Sequence, residues 1–173
     1  MAPTYPEGSL FGGPSHDVDR DELFFSTTDA TGIITQANSV FADKARWPRE
    51  RLIGIPHNVN RHPGMPGGAF LLMWSTLAAG KPFCAYVHNA ASDGSRYTVF
   101  ATITGLGDGY LSVRMPVGVE AFLAAATSLY EAVRPAELDA RAQGTSAHDA
   151  AALGLERLVP LLQGAGFPTY NEF

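Results

Sequence analysis

At 173 residues, 46% hydrophobic and 17% charged, the chain has room for one globular domain with extra segments, not two full domains. A net charge of −5 withholds the general cationic field that drives nucleic-acid binding, and no apolar run reaches membrane-spanning length. The N-terminus lacks the basic start and apolar stretch of a secretory signal, and the lone Cys84 excludes an internal disulfide, so a soluble cytoplasmic protein is expected.

Residues 1–20 are rich in Gly, Pro and Ser and are expected to form a mobile arm or an irregular cap. Leu23 to Thr28 reads as a strand, Asp29-Ala30-Thr31-Gly32 as a tight turn, and Ile33 to Gln36 as the antiparallel partner. Asn38 is a good N-cap for a short helix through Phe41 and Lys44, which Pro48 should end. A helical turn over Arg49 to Ile53 precedes Gly54. A stiff loop, IPHNVNRHPGMP, then runs from Ile55 to Pro66. Ala69 to Leu77 reads as a helix stopped by Gly80 and Pro82, with Phe70, Met73, Trp74 and Leu77 three or four residues apart on one face.

Three strands follow: Phe83 to Ala90, Tyr97 to Leu106 and Tyr110 to Met115, joined by the turns Asp93-Gly94 and Gly107-Asp108-Gly109. In the last of them Leu111, Val113 and Met115 alternate against Ser112 and Arg114. Val119, Phe122, Leu123, Ala126, Leu129, Tyr130 and Val133 recur at helical spacing, which predicts an amphipathic helix stopped before Pro135. Another helix is predicted from a Ser146 cap towards Leu158, with Pro160 kinking or ending it and an irregular tail beyond. The boundaries are therefore 1–20 for the arm, 21–116 for a sensor-like domain, 117–135 for the post-sheet helix, and 136–173 for a helical segment with its tail.

Two strands, short helices and a three-strand meander is the order of a PAS domain, and the residues go further than topology. Ser26-Thr27-Thr28-Asp29, Ile34-Thr35-Gln36-Ala37-Asn38, Pro56-His57-Asn58, Arg61-His62-Pro63-Gly64-Met65-Pro66, Met73-Trp74, Val87-His88-Asn89 and Leu129-Tyr130 resemble the PAS sensor of bacterial aerotaxis receptors. The resemblance covers roughly residues 22 to 133. It departs at Gly64, where the family usually has an acid, and at Phe83, where it usually has tryptophan. It implies an α+β fold, a five-stranded antiparallel sheet with short helices on one face, followed by C-terminal helices. It also implies non-covalent FAD and a redox- or oxygen-reporting role towards a signalling partner or receptor, and not an enzyme.

The candidate cofactor residues are Arg61, His62, Asn38, Trp74, Phe70, Asn89, His57 and Phe83. Arg61 and His62 suit a diphosphate, because a guanidinium fork matches phosphate oxygens and the flanking prolines limit the ordering cost. The plainer account is an exposed loop arginine beside a histidine bonded to a carbonyl. Phe70 and Trp74 suit stacking on a flavin ring but equally suit a core. Asn38 and Asn89 can each offer a donor and an acceptor to the ring edge, whereas a helix cap and a strand-end turn explain them as well. His57, His62 and His88 are the candidates for haem ligation, although no spacing selects haem. Cys84, outside the motif of light-sensing relatives, reads as a small buried apolar residue. Gly67-Gly68 opens a helix whose positive end could seat phosphate. No nucleophile motif, Walker loop or metal spacing emerges, so catalysis is unsupported. Three readings stay open: a flavin sensor, a cofactor-free PAS dimerisation or interaction module, and a small flavin reductase. The apolar face of the post-sheet helix suits a homodimer or partner, or simply its own sheet.

Overall fold

The computed structural model describes residues 9–19 and 21–165, grouped in two compact units. One comprises Met1–Pro63 with Thr76–Glu120, the other Gly64–Ser75 with Ala121–Phe173.

The first unit is built on a five-stranded antiparallel sheet. Its strands are β1 (Phe24–Asp29), β2 (Ile34–Ala37), β3 (Phe83–Ala90), β4 (Arg96–Leu106) and β5 (Gly109–Met115), in the spatial order β2-β1-β5-β4-β3. This is the expected α+β architecture, with strand limits within one residue of the sequence reading. The β1–β2 turn closes because Asp29 Oδ1 accepts from the amides of Thr31 and Ile33 at 2.8 and 3.0 Å, with Gly32 at φ 85°. Between β2 and β3 lie α1 (Ser39–Ala45), α2 (Arg49–Leu52), a 3₁₀ turn (His57–Asn60) and α3 (Gly67–Ala78). Asn38 caps α1 as predicted, accepting from Phe41 N at 3.1 Å. Pro48 does not end that helix. Arg46 does, in the left-handed region at φ 57°, with its N–H turned back to Ala42 and Asp43 carbonyls. Phe24, Ile34, Phe41, Leu52, Tyr97, Val99 and Ala101 form the core between α1, α2 and the sheet.

Residues 9–19 form an irregular cap. Ser15 bridges in parallel to Arg96, Arg96 N donates to Pro14 O at 2.9 Å, and His16 N donates to Arg96 O at 3.0 Å. Phe11 is fully buried, its ring 4.0 Å from that of His88 and 5.4 Å from that of His62. Cys84 is half-buried and not buried as read: it lies on the edge strand β3, with its Sγ 3.6 Å from Thr102 Oγ1.

The second unit holds α4 (Glu120–Ala142) and α5 (Ala147–Gly164) with the first part of α3. The expectation that α4 stops before Pro135 fails here, and so does the ending of α5 at Pro160, one of the two outcomes read for that proline. Pro135 lies inside α4 and Pro160 inside α5, and neither ends its helix. A proline removes one i→i−4 bond and crowds one carbonyl. The next turn of α4 carries Glu137, which ties it to α3: its carboxylate accepts from Gly67 N and Gly68 N at 2.7 and 2.8 Å. That carboxylate occupies the helix end that the sequence offered to phosphate. Ser146 caps α5 as expected, accepting from Asp149 N at 3.1 Å. Most of the predicted tail lies outside the described residues. On α3 the expected common face divides: Ala69, Met73, Thr76 and Leu77 are buried, Phe70 is half-buried and Trp74 is 37% exposed. Residues 70 and 74 lie about 100° round the helix from 69 and 73, enough to leave the buried stripe.

Gly109 fits where β5 meets β1. A Cβ there would lie 1.9 Å from Thr28 O, whereas one at Gly105, in the same hairpin, would meet nothing within 4 Å. Gly109→Ala should therefore destabilise by about 1–3 kcal/mol in urea unfolding, and Gly105→Ala should stay within about 0.5 kcal/mol of the parent. Equal losses at both positions would refute this account of the β1–β5 contact.

Candidate functional site

The inner face of the sheet is unexpectedly polar. On β5 the alternation turns Ser112 and Arg114 inwards, both buried, and leaves Met115 52% exposed. Ordinary patterning would bury Leu111, Val113 and Met115. Register explains the placement: Arg114 pairs with Phe24 and Ser112 with Ser26, so all four share the face that carries Tyr97, Val99 and Ala101.

Arg114 has no carboxylate partner among the described residues. Its Nη1 donates to Ser26 Oγ at 3.1 Å and its Nη2 to His57 Nε2 at 2.6 Å. Its guanidinium lies 5.1 Å from the Phe24 ring centroid and 5.0 Å from that of Phe41. Burial pulls its pKa down to about 10, partly offset by Tyr97, so it stays charged at neutral pH. An arginine can only donate, so His57 Nε2 must be the acceptor and Nδ1 carries the ring proton. Ser26 Oγ, 2.9 Å from the same nitrogen, completes the group. Burial, then Arg114, lowers the His57 pKa to about 3.

The stiff loop runs beside β3. Arg61 bridges antiparallel to Asn89, and His62 N donates to His88 O at 3.3 Å. Asn89 is buried, and its Nδ2 has no hydrogen-bond partner among the described residues, an orphaned donor at the sheet edge. Opposite it on β4, Tyr97 O–H receives a bond from Asn60 Nδ2 at 3.0 Å, and burial raises the Tyr97 pKa to about 12. His88, its Nδ1 3.0 Å from Thr98 Oγ1, is lowered to about 3 by burial, then by His62 and Arg96. His62 is lowered by burial and then by Arg96.

Arg61, His62 and Asn89 are thus brought together. His57 lies apart from them, beside Arg114. Asn38 is engaged as a cap: its Oδ1 also accepts from Phe25 N at 3.3 Å and its Nδ2 donates to Leu23 O. Phe83 stands at the far end of β3 from Asn89, about 20 Å along the strand. Phe70 and Trp74 belong to the other unit. Sequence reasoning missed Arg114, Asn60, Ser26 and Ser112. The one available signal was polar residues at alternate positions in two strands that pair. Ser112 Oγ is buried and has no hydrogen-bond partner among the described residues. These groups suit a ligand that presents acceptors to Asn89 and Arg114. Among the described residues no group of three or more His, Cys, Asp and Glu is placed to hold a metal ion.

No protein-family model matches the chain. The chain is similar to the aerotaxis receptor of Escherichia coli (strain K12), at 38% identity over 118 residues, which are 65% of this chain and 23% of the receptor. It thus spans less than a quarter of that relative's length. Among solved structures, a LOV protein of Rhodobacter sphaeroides aligns with a TM-score of 0.52 at 16% identity, over 90% of this chain and 88% of that one. The light-state LOV domain of the photoreceptor Aureochrome1 aligns at 0.52 and 18%, over 58% and 86%. The likenesses to these two solved structures, both under 25% identical, establish the fold alone.

The neutral histidines give stability a direction with pH. His57 and His88 both have folded-state pKa values near 3, below the ordinary 6.5, so the unfolded chain takes up protons first on acidification. Their contribution is present above pH 6.5 and is lost as pH falls towards 3, at up to about 1.4 kcal/mol per pH unit for each. Urea unfolding at pH 7, 5 and 4 should show this decline. NMR titration of Arg114→Met should show His57 moving back towards 6.5, and an unchanged value would overturn the assigned contact.

Proposed function

We propose that the PAS domain of the aerotaxis-receptor type that this chain carries is a flavin-binding sensor, reporting redox or oxygen status to a signalling partner. The observation that supports it most is the meeting of Arg61, His62 and the orphaned Asn89 amide at one sheet edge. The 38% identical receptor and the presence of a buried cation with no acid beside it among the described residues add weight.

In this reading Arg61 holds the diphosphate of FAD through charge-assisted bonds, with His62 contributing a neutral ring. Asn89 Nδ2 donates to an acceptor on the flavin ring edge. Arg114 supplies a positive charge on the same inner face, where low dielectric strengthens its effect on any acceptor that approaches. A bound flavin supplies a ring whose charge and protonation follow its redox state. The chain responds through its own groups. Any change in the demand on Arg114 is felt one residue before β5 ends at Met115, where the backbone leaves the sheet for α4. Residence in the cytoplasm, a homodimeric state and transfer to a partner protein belong to the same reading. No described helix is long and apolar enough to cross a membrane.

Purified protein, untreated, should be yellow and release FAD on denaturation. Arg61→Ala should weaken FAD binding by about ten- to a hundredfold and Asn89→Ala by about three- to tenfold, measured by fluorescence titration. Colourless protein that takes up no added FAD would sink the proposal and favour the cofactor-free interaction module, with which Gly64 and Phe83 agree.

A further inference from the structure

The start of α3 is held by α4 and enclosed by α5. Glu137, 1% exposed, divides its two oxygens. Oε2 accepts from Gly67 N at 2.7 Å and from Arg134 Nη1 at 2.8 Å, and Oε1 accepts from Gly68 N at 2.8 Å. These amides are the first two of α3, without intrahelical partners and at the positive end of its dipole, so both bonds are charge-assisted. Glycines make the arrangement possible. A Cβ at Gly154 of α5 would lie 1.7 Å from Glu137 Oε1. A Cβ at Gly68 would lie 2.3 Å from Leu155 N, and one at Gly67 2.7 Å from Ala151 Cβ. Pro135, two residues before Glu137, deletes an intrahelical bond from this stretch of α4, which leaves its hold more dependent on the Glu137 contacts.

We infer that Glu137 is a latch. It fastens the first turn of α3 to α4 and α5, so that withdrawal of the Gly67 and Gly68 amides and loosening of the two helices are a single event. The reason is the poor alternative. Without those amides a buried carboxylate keeps only Arg134, enclosed by glycines, and opening to water relieves it. Because α3 begins immediately after Pro66, any movement at the C-terminal end of the Arg61–Pro66 loop bears on this latch. The inference does not require that the ligand be a flavin.

Hydrogen exchange read by mass spectrometry on the full chain without added cofactor tests it. In Glu137→Ala and in Gly154→Ala, which keeps the carboxylate but denies it room, exchange in 67–73, 130–142 and 147–158 should rise together by about ten- to a hundredfold. Glu137→Gln, nearly isosteric and still able to accept from one amide, should fall between these and the parent. The double variant Glu137→Ala with Gly154→Ala should exceed neither single variant. Strands β3 and β4 should keep their parent rates. Acceleration limited to 67–73 would overturn the latch, and so would an equal rise in every segment, which marks general loss of stability.

Discussion

A guanidinium enclosed by a sheet, with no carboxylate among the described residues to answer it, governs the first unit. Desolvating a charge is expensive, so each neighbour of Arg114 must return something. Ser26 and His57 accept its hydrogen bonds, and the rings of Phe24 and Phe41 face its cation. The tautomer of His57 follows from that demand, while its neutrality comes first from burial and then from the nearby cation. The register of β1 on β5 is what holds Arg114 inside, since a shift of one residue would turn it to solvent and bring Val113 in. The polar inner face is a consequence of pairing.

The loop beside β3 obeys a similar logic. Its composition suggests a cationic segment, but burial and the neighbouring Arg96, with His62 acting on His88 as well, keep His62 and His88 towards their neutral forms. His62 therefore adds a polar ring, while Arg61 adds a fork of donors with fixed geometry. Phe11 packs against both histidines, which makes the irregular cap part of the wall behind the loop. The arm is tied to β4 by backbone bonds, so the wall does not depend on side-chain packing alone.

In the second unit, tertiary contacts override local rules. Two prolines sit inside long helices, although each removes a backbone bond. A carboxylate fills the positive end of another helix, where a glycine pair had looked suited to phosphate. Glycines at 67, 68 and 154 are explained by what approaches them and not by backbone conformation. Helix propensity would have placed other residues at all three.

The sequence by itself determined the five strands, their turns, the Asn38 and Ser146 caps and the α+β order, because strand alternation, turn chemistry and capping act within a few residues. It also brought forward Arg61, His62 and Asn89, through the likeness of a motif. Only the tertiary structure decided that Ser112 and Arg114 face inwards, that Asn60 serves Tyr97, and that Glu137 closes on α3. Each of these joins residues far apart in the chain, 37 in the case of Asn60 and Tyr97 and 70 in that of Gly67 and Glu137. Alternation says that two sets of side chains lie on opposite faces. Which set is buried is settled by the partner strand and by whatever charge the interior has to accommodate.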